Sequence, residues 1–471
     1  MYQFLVFDPT ALIGGLPSAD NPFSAMFLIF TNGGWIIFSV VLIWGAWTGW
    51  VEYIQNRFDS RIKFVLLAID IPQQNELSPK AVEQIFAHLY GMKKSGDLIE
   101  KYIEGYNQMG VSLEIVSIEG YIQFLIYAPE KFRDLVEAAI YAQYPDAEIT
   151  EVEDYVDMIP KPTELATSDW DIYGTEMKLN KNELYPLRTY PLFEHSLSKR
   201  LLDPLASLME IMSRMGPGEH LWIQIVMAPV GDEWREKGIS LINKLIGKKS
   251  EKSGVDLMYF PKEISRGFVE SFTASLIPPS EMSGGESKKK EREWPSQMQH
   301  LSPDEREIVE NIGMKISKLG FKSKIRFIYA ARREVFKKSK GVSGVIGAFQ
   351  QYSTPQLNGL KKNKKVETRV HYAFIKSRTK ARKERILRAY RYRSMKRGRK
   401  GYVLNIEELA SLWHFPTLDV KVASVQTVGA KKAQPPISLP VQSYVRKPVR
   451  SAEPSSVTDS KGAPPPNLPV T

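Results

Sequence analysis

Hydrophobic positions along the chain follow two periods. At 62–71 (IKFVLLAIDI), 111–118 and 121–127, apolar side chains run continuously or at every second residue, which is the strand pattern, and the turn-like Glu119-Gly120 joins the last two. At 78–89 and 130–144 they recur at helical spacing, and the second segment places Phe132, Leu135, Val136, Ala139 and Ile140 on one face. A strand at 148–155 follows. The order β-α-β-β-α-β predicts a ferredoxin-like unit over 60–156, a sheet with helices on one side.

The same pattern predicts a second α+β unit over 174–335. Ile122-Gln123 through Ala128-Pro129, followed by a helix, is echoed by Ile223-Gln224 through Ala228-Pro229, again followed by a helix. Proline suits the first helical turn, so each Ala-Pro marks a strand-to-helix passage. A helix at 203–215 is expected before this strand, and a helix at 302–319 with a strand at 325–329 after it. The charged Gly/Ser-rich stretch 278–298 reads as a flexible insertion within the unit. From 434 to 471 there are nine prolines in 38 residues, a composition expected to stay disordered.

Upstream, no charged residue occurs from 21 to 51. A helix of about 20 such residues crosses a hydrocarbon core of about 30 Å, so 25–51 is expected to be a single transmembrane helix, with Trp35, Trp47 and Trp50 at its interfaces. The first base is Arg57, followed by Arg61 and Lys63. The positive-inside rule then places 1–24 outside the cytoplasmic membrane and the bulk of the chain in the cytoplasm. Gly45 and Gly49 form a small-xxx-small pair that would let two such helices associate into a homo-oligomer.

Charge is the property that alters this picture most. The chain carries +11 overall, but 360–400 holds 18 Lys/Arg against Glu367 and Glu384, a local +16 that leaves −5 on the remainder. Within the segment 360–416, which ends in a helix at 406–413 and a His414-Phe415-Pro416 turn, the stretch 376–399 reads as a basic helix. Its candidate binding residues are Lys376, Arg378, Lys380, Arg382, Lys383, Arg385, Arg388, Tyr390, Arg391, Tyr392, Arg393, Lys396, Arg397 and Arg399. Bases interleaved with tyrosines suit phosphate contacts plus stacking on nucleic-acid bases. Binding to an anionic lipid surface, or to an acidic protein, fits the same composition and stays open.

Catalytic chemistry has little to stand on. With no cysteine there is no thiolate nucleophile and no thiolate metal site. No Walker A pattern is present, since Gly247-Lys248-Lys249-Ser250 lacks the earlier glycine, and no G-x-S-x-G elbow occurs. His300 with Asp304, and Glu367 with His371, are isolated pairs. Two ligands are too few for a metal site. A non-enzymatic protein without metal or cofactor is expected.

Several local stretches together carry a resemblance: Ser112 through Gly120, Tyr141 through Ala147, Asp154-Tyr155, Leu184 through Leu187, Asp203-Pro204, Trp222 through Ile225, Leu357-Asn358, Leu404 through Pro416, Pro435-Pro436 and Leu439-Pro440. The chain resembles the membrane-anchored region that precedes a P-loop DNA-translocating ATPase in bacterial type IV secretion and conjugative coupling proteins. The resemblance covers 62 to about 440, and a Pro-rich tail stands where the ATPase would begin. It implies an accessory platform of a DNA-transfer system, tying a separate motor ATPase or its DNA to the membrane. The alternative is a membrane-anchored scaffold for protein partners or anionic lipid.

Overall fold

The strands pair into one continuous sheet. The computed structural model describes residues 35–72, 77–193, 203–247 and 301–417. Its strands are β1 (Phe64–Asp70), β2 (Val111–Ile118), β3 (Tyr121–Pro129), β4 (Glu148–Glu151), β5 (Trp170–Leu179), β6 (Glu219–Pro229), β7 (Gly320–Arg332), β8 (Leu360–Lys362) and β9 (Tyr402–Asn405). All pairs are antiparallel, in the order β4-β1-β3-β2-β6-β7-β5-β8, with β9 beside the start of β7. The helices are α1 (Trp35–Asp59), α2 (Lys80–Leu89), α3 (Arg133–Tyr141), α4 (Ala206–Ser213), α5 (Glu233–Leu245), α6 (Pro303–Ser317), α7 (Gly344–Gln350), α8 (Ile375–Arg391) and α9 (Ile406–Leu412).

Both faces of the sheet are covered. On the first, Leu67, Leu113, Ile115, Phe124, Ile223 and Phe327 lie in one core with the apolar sides of α2, α3, α4, α7 and α9. Trp413, just past α9, stands within ring-contact distance of Phe86, Phe124 and Phe415, so the end of the described chain sits in the core of the first half. On the second face, Leu66, Val116, Leu125, Ile172, Trp222 and Ile328 pack with Tyr155, Val156, Ile159 and the Ile386, Leu387 and Tyr390 side of α8. Two buried pairs fix the C-terminal part on the first face: Lys315 Nζ lies 3.0 Å from Glu408, and His414 Nε2 lies 3.0 Å from Asp203 Oδ1.

Three expectations need correction. The α+β fold class, with a transmembrane helix and two separate ferredoxin-like units, gives way to a mixed α/β protein on one antiparallel sheet of nine strands. Each half runs in the order fourth-first-third-second (β4-β1-β3-β2 and β8-β5-β7-β6), but they join through β2 and β6 from Val111↔Met227 to Ile118↔His220. Separated, each half would leave a strand with both faces buried as an open edge, which invites pairing with another chain.

Second, no helix among the described residues is long and apolar enough to cross a membrane, which removes the single-pass span and the inner-membrane localisation built on it. Helix α1 is described from Trp35, and 25–34 lie outside the described residues. Its described charge-free part, up to Val51, is broken up by Ser39, Gly45, Thr48, Gly49 and four tryptophans.

Third, the Ala-Pro echo is not a repeat of equivalent strands. β3 and β6 flank β2 on either side, whereas the partner of β3 in the repeated strand order is β7. What the two segments share is the local chemistry of leaving a strand for a helix. The insertion 278–298 and the tail 434–471 lie outside the described residues.

Candidate nucleic-acid interface

Alternation along a strand sends every second side chain to the second face. At one level of that face the neighbours are polar: Glu114 on β2 pairs with Gln224 on β6, Gln224 with Arg326 on β7, and Arg326 with Glu176 on β5. All four are essentially inaccessible to solvent. Donors and acceptors alternate along the row. Gln224 Nε2 donates to Glu114 Oε1 at 3.0 Å, Arg326 Nη1 to Gln224 Oε1 at 3.3 Å, and Arg326 Nε to Glu176 Oε1 at 3.1 Å.

The end of α8 and the residues after it close over this row. Arg393 Nε donates to Glu114 at 3.1 Å, its Nη2 donates to Asp154 at 2.8 Å, and its guanidinium lies 4.2 Å from the centre of the Tyr127 ring. Tyr155 donates to Glu114 at 2.8 Å, which commits its only proton, so across the 2.9 Å contact between the two hydroxyls Tyr390 is the donor. Arg326 also reaches the carbonyls of Ala389, Ser394 and Arg397, and Lys324 Nζ donates to those of Met395 (2.7 Å) and Arg397 (2.8 Å). Glu176 accepts from the Arg399 amide at 2.9 Å. Between them Gly398 adopts φ +90°, where an L side chain is strained and a Cβ would collide with the Glu176 carboxylate.

Titration follows from these surroundings. Burial opposes the Arg393 charge, but Glu114 and Asp154 outweigh it and hold the guanidinium protonated far above its ordinary range. Burial, with repulsion from Arg326, brings Lys324 down to about 8. The Tyr155 and Tyr390 hydroxyls are pushed well above the usual phenol range, chiefly by burial.

The expected binding residues therefore divide into four groups. Lys376, Arg378, Lys380, Arg385 and Arg388 stand exposed on α8. Lys376, Lys380, Arg385 and Arg388 have no carboxylate partner among the described residues. Arg382 is half-buried and donates to the carbonyls of Glu367 and Arg369; Lys383 pairs with Asp171, and Arg391 with Asp157 and the carbonyls of Val156 and Ile159. Tyr390 and Arg393 are buried in the ion row, so neither is a surface group, and Tyr390 cannot stack on a ligand while α8 is seated. Beyond the helix, Tyr392 is 70% exposed with the Arg397 guanidinium 5.4 Å from its ring centre, Lys396 lies 3.2 Å from Asp59, and Arg399 is exposed.

The residues named for the span lie elsewhere. Trp35, Trp47 and Trp50 are exposed on α1, with the Trp47 ring 5.6 Å from that of Tyr102, and Gly45 and Gly49 face open space.

Sequence reasoning missed Glu114, Gln224, Arg326, Glu176 and Lys324. They occupy alternate positions of strands, which read as an ordinary solvated face until a second layer is known to cover it. It also missed Tyr372 and Phe374, exposed 82% and 84% just before α8; their signal was two aromatic residues beside a run of bases. Among the described residues no three His, Asp or Glu side chains converge to hold a metal ion. His414 is spent structurally: its Nδ1 lies 2.8 Å from the Ala410 carbonyl, and its Asp203 partner also accepts the Leu205 amide at 2.7 Å. Burial alone would raise Asp203; the His414 contact, together with the Leu205 and Thr417 amides that donate to it, outweighs burial and keeps the carboxyl below its ordinary value.

Fold and site together define a mixed α/β protein whose second sheet face is roofed by a cationic helix strapped to a buried ion row. Residues 72–427, 356 of the 471, match the family described as Domain of unknown function (DUF8128), and the chain belongs to that family. No curated protein matches it. The expected tie to a membrane is corrected accordingly, since no helix among the described residues is long and apolar enough to cross a bilayer, and the matched family, a domain of unknown function, carries no link to type IV secretion or conjugation.

Proposed function

We propose that the protein is a non-enzymatic platform that binds nucleic acid through the outer face of α8. One observation carries the reading: Lys376, Lys380, Arg385 and Arg388 project from a single helix with no carboxylate partner among the described residues, while the neighbouring bases that do have partners hold that helix in place. Cations held on one fixed helix suit a polyanion, because phosphate neutralisation releases condensed counterions and needs no base-specific contact. The platform's protein partner, on the resemblance in sequence alone, is a separate P-loop ATPase.

The test is fluorescence anisotropy of a labelled 20-base-pair duplex with the full chain over a salt series. Four to six phosphate contacts give a slope of log affinity against log salt of about −4 to −5. Replacing Lys376, Lys380, Arg385 and Arg388 together with Gln should flatten that slope by about 3 units while the urea midpoint stays put, because exposed charges contribute little to stability. Absence of binding to any nucleic acid at 50 mM salt, or an unchanged slope in the quadruple variant, refutes the proposal.

A further inference from the structure

Two features at the ends of α8 are not explained by charge. Just before the helix, Ala373 (φ 35°) and Phe374 (φ 50°) are successive non-glycine residues in left-handed backbone, which costs on the order of 1–2 kcal/mol each. The conformation leaves the Tyr372 and Phe374 rings 82% and 84% exposed, where burial of a ring that size would gain about 1.5–3 kcal/mol. The loop is braced: Arg378 Nη1 donates to the Tyr372 carbonyl at 2.7 Å and the Ala373 carbonyl at 3.3 Å, and the Arg378 amide donates to the Phe374 carbonyl at 3.0 Å. Strain and exposure are both unfavourable, and both are held in place by a named side chain.

At the far end Tyr392 is 70% exposed beneath the Arg397 guanidinium. It continues the stripe of Arg378, Arg385 and Arg388, steps of seven, three and four residues that keep one side of a helix. From Phe374 to Tyr392 the helix rises about 27 Å. Rings therefore stand at both ends of the stripe formed by Arg378, Arg385 and Arg388, with Lys376 and Lys380 exposed farther round the same helix.

From this we infer that α8 is a track for single-stranded nucleic acid, whose phosphates lie along the cations and whose bases stack on Tyr372, Phe374 and Tyr392. The inference rests on the nucleic-acid reading above and goes further, since a duplex keeps its bases stacked inside and offers exposed rings nothing to stack on. Sequence-tolerant stacking beside a basic groove is how single strands are generally held. A bilayer surface is the less suited occupant, because insertion gathers apolar side chains in one patch, and here Tyr392 is separated by the length of the helix from Tyr372 and Phe374.

The experiment uses the full chain with three probes at 0.15 M salt: fluorescein-labelled dT20, the 20-base-pair duplex, and vesicles containing 30% phosphatidylserine. The single strand should bind at least about 10-fold more tightly than the duplex. Tyr372→Ala with Phe374→Ala should weaken dT20 at least 20-fold, from a stacking loss of about 1–3 kcal/mol per base, and leave duplex affinity within about twofold. Tyr372→Phe with Phe374→Tyr should retain dT20 binding, and unchanged urea midpoints exclude unfolding as the cause. Equal affinity for strand and duplex, or equal loss of both in the alanine variant, overturns the inference while leaving the polyanion reading intact. Loss of all nucleic-acid binding in the unsubstituted chain overturns both. Vesicle binding stronger than dT20 binding and reduced by the alanine pair assigns the rings to a lipid surface and also overturns it.

Discussion

Arg393→Met is the substitution that most directly tests how α8 is held. The side chain is 4% exposed, Glu114 is fully buried, and the charged contacts are 3.1 Å to Glu114 and 2.8 Å to Asp154. Removing one partner of a buried pair strands the other charge and typically costs about 3–5 kcal/mol. Glu114 would keep three neutral donors, from Ser112, Tyr155 and Gln224, so the lower end, about 3 kcal/mol, is expected. Asp154 is partly open to water and adds little. Urea unfolding of the full chain, followed by tryptophan fluorescence, gives the loss as a fall in midpoint at constant slope. Trp222, whose ring centre is 5.8 Å from that of Tyr390, lies beneath the seat of α8. In a double-mutant cycle Glu114→Gln should recover about 1–3 kcal/mol of the Arg393→Met loss, and exposed Arg388→Gln should stay within about 0.5 kcal/mol of the parent. A loss below about 1 kcal/mol for Arg393→Met, or no recovery in the cycle, would mean that the ion row does not hold the helix.

Two further outcomes follow from single residues. Burial, reinforced by Glu148, raises the Asp70 carboxyl to about 6 from 3.8. The folded chain thus keeps a proton that the unfolded chain releases, stability falls as pH rises from about 4 to 6, and Asp70→Asn should be more stable by about 1–3 kcal/mol at pH 7 but not at pH 3.5; a destabilised variant at pH 7 contradicts this sign. Gly398→Ala, at φ +90° against Glu176, should lose about 1–3 kcal/mol, while Gly347→Ala, in α7 with nothing within 4 Å of the new methyl, should gain up to about 1 kcal/mol; equal urea midpoints for the two variants would contradict the strain argument.

Much of the local structure was legible from pattern alone. The alternating run 111–118 is β2, the amphipathic 78–89 is mostly α2, the helix expected from 302 is α6, and the basic stretch expected to be helical over 376–399 is helical as α8 only from Ile375 to Arg391. These are decided by neighbours three or four positions apart, which is the range that hydrophobic period, caps and turn residues report. The basic composition of α8, and the absence of cysteine chemistry, are likewise properties of the sequence alone.

What only the tertiary structure decided is which side of each element is covered. The second face of β2, β6, β7 and β5 looks solvent-facing because Glu114, Gln224, Arg326 and Glu176 are polar. It is buried because α8, some 60 to 280 residues away in sequence, folds over it and supplies Arg393 and a set of backbone carbonyls as partners. Burial of a charge depends on the partner that compensates it, and that partner is set by chain topology rather than by adjacent residues. The fusion of the two halves through β2 and β6, the exposed α1, and the division of one basic segment into structural cations (Arg391, Arg393) and free ones (Lys376, Lys380, Arg385, Arg388) are decided in the same way, by contacts between segments far apart in the chain.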